Sequence, residues 1–176
     1  MNMEEHDFAT APVQIEELTP LMRFSLRVRP EHRADMAAAL AMELPQKLGD
    51  RAGFATGEAL CLGPDEWLIL TTEPAALVDA AREAYARLPH SLTEISDREI
   101  TLRLTGPQVL DLLATGCPRD IEALAEGRAV RTVFDSATVV LWRDGPAEFR
   151  MDIWRSFAPH VRSLLAQAEA ELIAGL

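Results

Sequence analysis

Lysine is almost missing from this chain. Lys47 is the single one, against sixteen arginines. That bias fits either bidentate contacts with carboxylates or a gene that spells its basic residues with Arg codons. Positive charge as a whole is short: 17 basic residues face 28 acidic ones, for a net charge of −11. Nucleic acid and anionic membrane surfaces both need concentrated positive charge, so neither is an expected partner. No run approaches the roughly 20 apolar residues that span a bilayer. The first twenty residues carry five acidic side chains and no basic one, unlike a secretory signal. A cytoplasmic location is therefore expected.

Cysteine and histidine are equally sparse. Cys61 and Cys117 are expected as free thiols, not a disulfide. His6, His32, His90 and His160 show no metal-ligand spacing, which argues against a zinc site in this chain. Neither a GxGxxG nor a P-loop is present, so dinucleotides and ATP lack their usual cradles. Asp65 and Glu66 are adjacent and belong to a turn, not an acid–base pair. Cys117 follows a helix, where a thiolate is disfavoured, and His160 opens the last helix, where imidazolium is disfavoured. No catalytic, cofactor-binding or metal-binding residues are assigned.

What is present is a core: 48% of the 176 residues are hydrophobic. Residues 1–20 read as an acidic arm, with Val13, Ile15 and Leu18 available for docking on a partner. Residues 21–176 read as one compact domain with halves of about 21–97 and 98–176. Met22, Phe24, Leu26 and Val28 alternate with Arg23, Ser25 and Arg27, the period of a strand with one buried face. A helix is expected from Pro30 to Pro45, two strands over 59–71 about a turn at Gly63-Pro64-Asp65, a helix capped by Thr72, and a strand over 92–96. Ile100, Leu102 and Leu104 begin a second such unit. A short helix ending at Gly116 follows, then strands over 130–134, 138–142 and 149–153. A last helix, capped by Ser156, carries Phe157, Val161, Leu164 and Leu165 on one face. The fold expected is α+β: two ferredoxin-like βαββαβ-type halves, mainly antiparallel sheet with helices on one face.

Several segments resemble the gamma subunit family of heterotetrameric sarcosine oxidase. They are LGPDEWLIL (62–70), the strands about Ser96-Asp97-Arg98, LTGPQVLDLLATGCPRD (104–120), VRTVFDSATVVLWR (130–143) and RSFAPHV (155–161). The strand followed by LxGPxxxxLL is shared with folate-binding proteins such as the T-protein of glycine cleavage, which implies a T-protein-like fold. The resemblance implies a non-catalytic subunit of an α, β, γ, δ complex. That complex would oxidatively demethylate sarcosine to glycine, form hydrogen peroxide and pass one carbon to tetrahydrofolate. FAD, FMN, NAD, zinc and tetrahydrofolate are then expected in the other subunits and none in this chain. The direct partner implied is the alpha subunit, with beta and delta in the same assembly. A stand-alone folate-binding protein of the T-protein class is the alternative.

For such a role the expected contact residues are Arg131, Thr132, Trp142, Trp154, Arg155 and Ser156. Trp142 stands at a strand end and Trp154 is out of phase with Phe149, Met151 and Ile153, so both are expected as exposed anchors. Arg131 and Arg155 are expected at one junction, clamping Asp135, Asp152 or a partner's carboxylate.

Overall fold

The structure, a computed structural model, describes residues 11–175. Its strands form two five-stranded antiparallel sheets. Strand β1 (Gln14–Glu17) comes first in the chain. The first half follows as β2 (Met22–Val28), α1 (Arg33–Ala39), β3 (Arg51–Phe54), β4 (Gly57–Gly63), β5 (Glu66–Thr71), α2 (Pro74–Ala84) and β6 (His90–Glu94). The second half is β7 (Glu99–Thr105), α3 (Val109–Ala114), β8 (Ala129–Phe134), β9 (Ala137–Gly145), β10 (Glu148–Trp154) and α4 (Ala158–Ile173).

The sheet orders are β3-β4-β5-β2-β6 and β8-β9-β10-β7-β1. Laid side by side they correspond strand for strand. The strands β4-β5-β2-β6 have the ferredoxin-like order, and β3 adds an edge. In the second sheet β8 takes the place of β3, and β1 takes the place of β6. The closing strand of the second half thus comes from the N-terminal segment. Ile15 pairs with Leu104, and Val13 is fully buried against the second half. The stretch Pro12–Leu18 of the expected arm is therefore bound to this chain's own second half, and residues 1–10 lie outside the described residues.

Each sheet carries its helices on its outer face. Phe24, Leu26, Ala59, Cys61, Trp67 and Ile69 pack under α1 and α2. Leu102, Leu104, Val139, Leu141, Phe149 and Met151 pack under α3 and α4. Side chains alternate along a strand, so the opposite faces carry Leu60, Leu68 and Leu70 on one sheet and Ala129, Val140 and Trp142 on the other. These six form a third core between the sheets. Gly49 ties the seam at one edge: its N–H donates to the Cys61 carbonyl, and its carbonyl accepts from the Ala129 N–H. Its φ is +84°, and a Cβ there would stand 2.5 Å from the Ala129 oxygen, so only glycine fits.

This second buried face corrects the reading of Arg23 as a solvent-side residue. Arg23 is 2% exposed. Its Nη2 lies 2.9 Å from Asp152 Oδ1 and donates to the Thr101 hydroxyl. Thr101 donates to Asp152 Oδ1 at 2.6 Å, and Trp142 Nε1 donates to Asp152 Oδ2 at 2.7 Å. Glu99, also buried, stands 3.6 Å from Arg23 Nη1. One strand of the first sheet is thereby pinned to two of the second, β7 and β10, and Trp142 on β9 supports the Asp152 carboxylate from within its own sheet.

Local differences have local causes. The helix expected to reach Pro45 stops at Ala39. Ala41 turns left-handed (φ 52°), and the Ala41 and Met42 N–H groups bond the carbonyls of Ala38 and Ala37, a Schellman ending. Thr72 does not cap α2: its hydroxyl donates to the Thr56 carbonyl, and Thr71 Oγ1 accepts from the Glu73 N–H. Ser156 does not cap α4, whose N-cap position is Phe157. Gly116 sits against the Phe134 ring, where a Cβ would come within 2.7 Å, so its role is close packing. Strand β3 lies in what read as loop.

Removing one member of a buried ion pair typically costs about 3–5 kcal/mol because the other charge is left unpaired. Arg23→Ala strands Asp152 between the sheets. The expected outcome is a loss of that size in urea unfolding, with the slope unchanged. A variant as stable as the parent chain would show that the pair is not what joins the halves.

Candidate subunit-contact surface

Two polar clusters flank the apolar centre of the seam. At one end Arg51 and Arg150 alternate with Glu58 and Asp144 in a closed ring of ion pairs. Arg51 lies 2.6 Å from Glu58 and 2.7 Å from Asp144; Arg150 lies 2.8 Å and 2.6 Å from the same two. Both guanidinium carbons stand over the Trp142 ring, at 5.0 and 4.7 Å from its centroid. Burial alone would raise the Asp144 pKa, but Arg150 and Arg51 outweigh it and hold the carboxyl below its ordinary value. Arg150 is raised despite its burial, by Asp144 and Glu58.

The other end of the seam opens to a groove of about 280 Å³, bordered by Glu66, Arg98, Glu99, Arg131, Asp152 and Trp154. Arg131 crosses the seam from β8 to Glu66 on β5, with Nη2 at 2.5 Å from Oε1 and Nη1 at 3.3 Å from Oε2. The Arg131 hydrogen bond holds the Glu66 carboxyl below its usual range. Arg27 pairs with Asp65 at 2.8 Å.

The six expected contact residues separate into different environments. Trp142 is fully enclosed, which corrects its reading as an exposed anchor: the strand runs on to Gly145, so the residue lies within it and faces the seam, with its N–H spent on Asp152. Trp154 is 42% exposed. Arg131 and Arg155 do not share a carboxylate. Arg131 takes Glu66, Asp152 takes Arg23, and Asp135 takes His160 at 3.0 Å. Arg155 Nε donates to the Asp97 carbonyl at 3.1 Å. Ser156 is exposed, and Thr132 is half-buried with its hydroxyl 3.9 Å from Cys117 Sγ. Both cysteines are free and buried, and burial pushes the Cys61 thiol pKa up.

Sequence reading missed Phe157, assigned to the buried face of α4 yet 39% exposed, because the residue lies in the turn before the helix begins. It also missed Arg98, whose guanidinium stacks 5.5 Å from the Trp154 centroid. Both residues lie in segments that resemble the gamma subunit family, Ser96-Asp97-Arg98 and RSFA, and that resemblance is the available signal. Among the described residues no cluster of three metal-ligating side chains occurs, and no helix is long and apolar enough to cross a membrane.

Residues 27–171 match the sarcosine oxidase gamma subunit family. The chain belongs to that family. The sarcosine oxidase subunit gamma of Corynebacterium sp. (strain U-96) is 33% identical over 167 residues, covering 92% of this chain and 82% of the relative. A chain in the heterotetrameric sarcosine oxidase of Corynebacterium sp. U-96, solved in complex with pyrrole 2-carboxylate, superposes with a TM-score of 0.84 at 31% identity. The match covers 93% of this chain and 87% of that one. The glycine cleavage aminomethyltransferase T of Bartonella henselae shares the fold with a TM-score of 0.68 at 14% identity, over 88% of this chain and 45% of that one. The T-protein-like α+β reading of the family members therefore holds for the fold.

Two measurements check this assignment of roles. Trp142→Ala is expected to cost about 3–5 kcal/mol, as deletion of a large buried ring does, while Trp154→Ala leaves thermal melting nearly unchanged. The reverse order would exchange core and surface. Acid titration checks the ion pairs. The Asp144 and Glu66 pKa values are depressed by folding, so their contribution is present above the ordinary carboxylate range and is lost as pH falls through the folded-state values. Melting temperature should stay level from neutral pH to about pH 5 and then fall. In Asp144→Asn the acid-side fall should be shallower; an identical profile would remove Asp144 as a source.

Proposed function

We propose that this chain is the non-catalytic gamma subunit of a heterotetrameric sarcosine oxidase. The carrying observation is the near end-to-end superposition on a chain of that enzyme, at 31% identity over 93% of this sequence. The assembly demethylates sarcosine oxidatively to glycine, with hydrogen peroxide and methylene-tetrahydrofolate as further products. FAD, FMN, NAD, zinc and tetrahydrofolate reside in the other subunits. The gamma chain packs directly on the large alpha subunit, with beta and delta in the same complex, in the cytoplasm.

The side chains support a structural part in that assembly. The seam's charged groups are consumed by one another: Arg23, Arg51, Arg131 and Arg150 all hold carboxylates of this chain. Such pairs orient the halves. The exposed Trp154 and Phe157, with Arg155 and Ser156 between them, offer the aromatic–arginine composition typical of subunit contacts.

Co-expression with the remaining subunits, followed by affinity capture on this chain, tests the proposal. The expected result is recovery of alpha, beta and delta with the tagged chain, and a purified gamma chain that is colourless and inactive on sarcosine. A flavin band that stays with the isolated chain through gel filtration would overturn the non-catalytic role. Failure to recover alpha together with tight tetrahydrofolate binding by the chain alone would favour the stand-alone folate-binding reading.

A further inference from the structure

Two turns beside the groove are bonded to each other. One is Ser96–Arg98, between β6 and β7; the other is residues 154–157, between β10 and α4. The Arg155 N–H donates to the Arg98 carbonyl at 2.8 Å, and Arg155 Nε donates to the Asp97 carbonyl at 3.1 Å. Arg98 stacks on Trp154 while its Nη2 holds Glu99 Oε1 at 2.8 Å. The Trp154 and Phe157 rings lie 6.4 Å apart.

The arginines of this end of the seam differ in one respect. Arg27, Arg98 and Arg131 each hold a carboxylate of this chain. Arg155 has no ion-pair partner among the described residues. Its Nε is anchored on a backbone carbonyl, which fixes the plane of the guanidinium and leaves Nη1 and Nη2 as a pair of donors. Such a fork matches the two oxygens of a carboxylate. It sits between two exposed aromatic side chains, in a chain whose charge is otherwise strongly negative.

We infer that this turn pair is the docking point for an acidic segment of a partner subunit. An Asp or Glu carboxylate of that segment accepts from Arg155 Nη1 and Nη2, and a neighbouring apolar side chain rests on Trp154 and Phe157. The inference rests on the reading of the chain as a subunit of the oxidase and adds which chemistry the partner presents. A second copy of this chain is the poorer occupant, because two chains of net charge −11 repel.

The test uses the co-expressed complex. Gamma carrying Arg155→Ala, Arg155→Lys or Trp154→Ala is titrated against the complex of the other subunits, and each variant is melted alone. Arg155→Ala is expected to weaken association by about thirtyfold or more, the lower end of the loss on truncating a desolvated charge pair. Arg155→Lys should recover only part, since it keeps the charge and loses the fork. All three variants should melt like the parent chain. In hydrogen exchange, the amides of residues 96–98 and 154–157 should gain protection on assembly. If parent gamma assembles and Arg155→Ala binds equally well, or those amides stay unprotected, this inference falls while the subunit reading stands. A self-dimer of the isolated chain that Arg155→Ala abolishes would overturn it in favour of a second copy. Failure of parent gamma to assemble at all sinks the subunit reading and this inference together.

Discussion

The bond between Arg23 and Asp152 joins the two halves of the molecule where neither half could be held by its own helices. Each sheet would be complete as a two-layer unit, with one apolar face under helices and the other turned to water. Here the second faces meet, and their polar side chains must find partners inside the seam. Arg23 meets Asp152 and Thr101, Trp142 meets Asp152, and the ring of Arg51, Glu58, Asp144 and Arg150 closes over the same tryptophan. Burying these groups is costly unless the geometry is complementary. The halves are thereby restricted to one relative orientation, a specificity that apolar packing of Leu60, Leu68, Leu70 and Val140 alone would not impose.

The same seam explains what sequence reading recovers and what it loses. Period-two alternation in Met22–Val28, Ile100–Leu104 and Phe149–Ile153 locates the strands and their helix-facing residues, because that signal is local. It also implies that the alternate residues face water, which is true of an isolated sheet and false of one stacked on another. Arg23 is misplaced for that reason: nothing within a strand says whether its polar face has a partner sheet. Trp142 is misplaced because its strand, expected to end there, runs on to Gly145. Trp154 keeps its phase with Arg150 and Asp152 yet lies at the strand's end, beyond the seam's cover, and so remains exposed. The two helix caps assigned to Thr72 and Ser156 fail more locally. Each residue stands one position before the N-cap, Glu73 or Phe157, and Pro74 and Pro159 in the first turn suit a helix that begins without a side-chain cap.

Family segments carry the clearest sequence signal, and the structure gives them physical jobs. Gly116-Cys117-Pro118 lets α3 end against the Phe134 ring. Glu66, in LGPDEWLIL, is the carboxylate that Arg131, in VRTVFD, reaches across the seam. RSFA and the Ser96-Asp97-Arg98 turn are bonded to each other. These pairings lie far apart in the chain, so each motif is intelligible only beside its mate.

The borrowed edge strand has a consequence for biosynthesis. β1 leaves the ribosome well before its partner β7, which begins at Glu99. Until β7 has been made, that strand has no ladder to join, and its unpaired edge must wait in solution. Contacts of such long sequence separation slow folding and prolong the lifetime of incomplete sheets. The first half can close around its own β6 during synthesis; the second cannot close without a segment laid down before the first half. A strand made ahead of both halves is thus seated late.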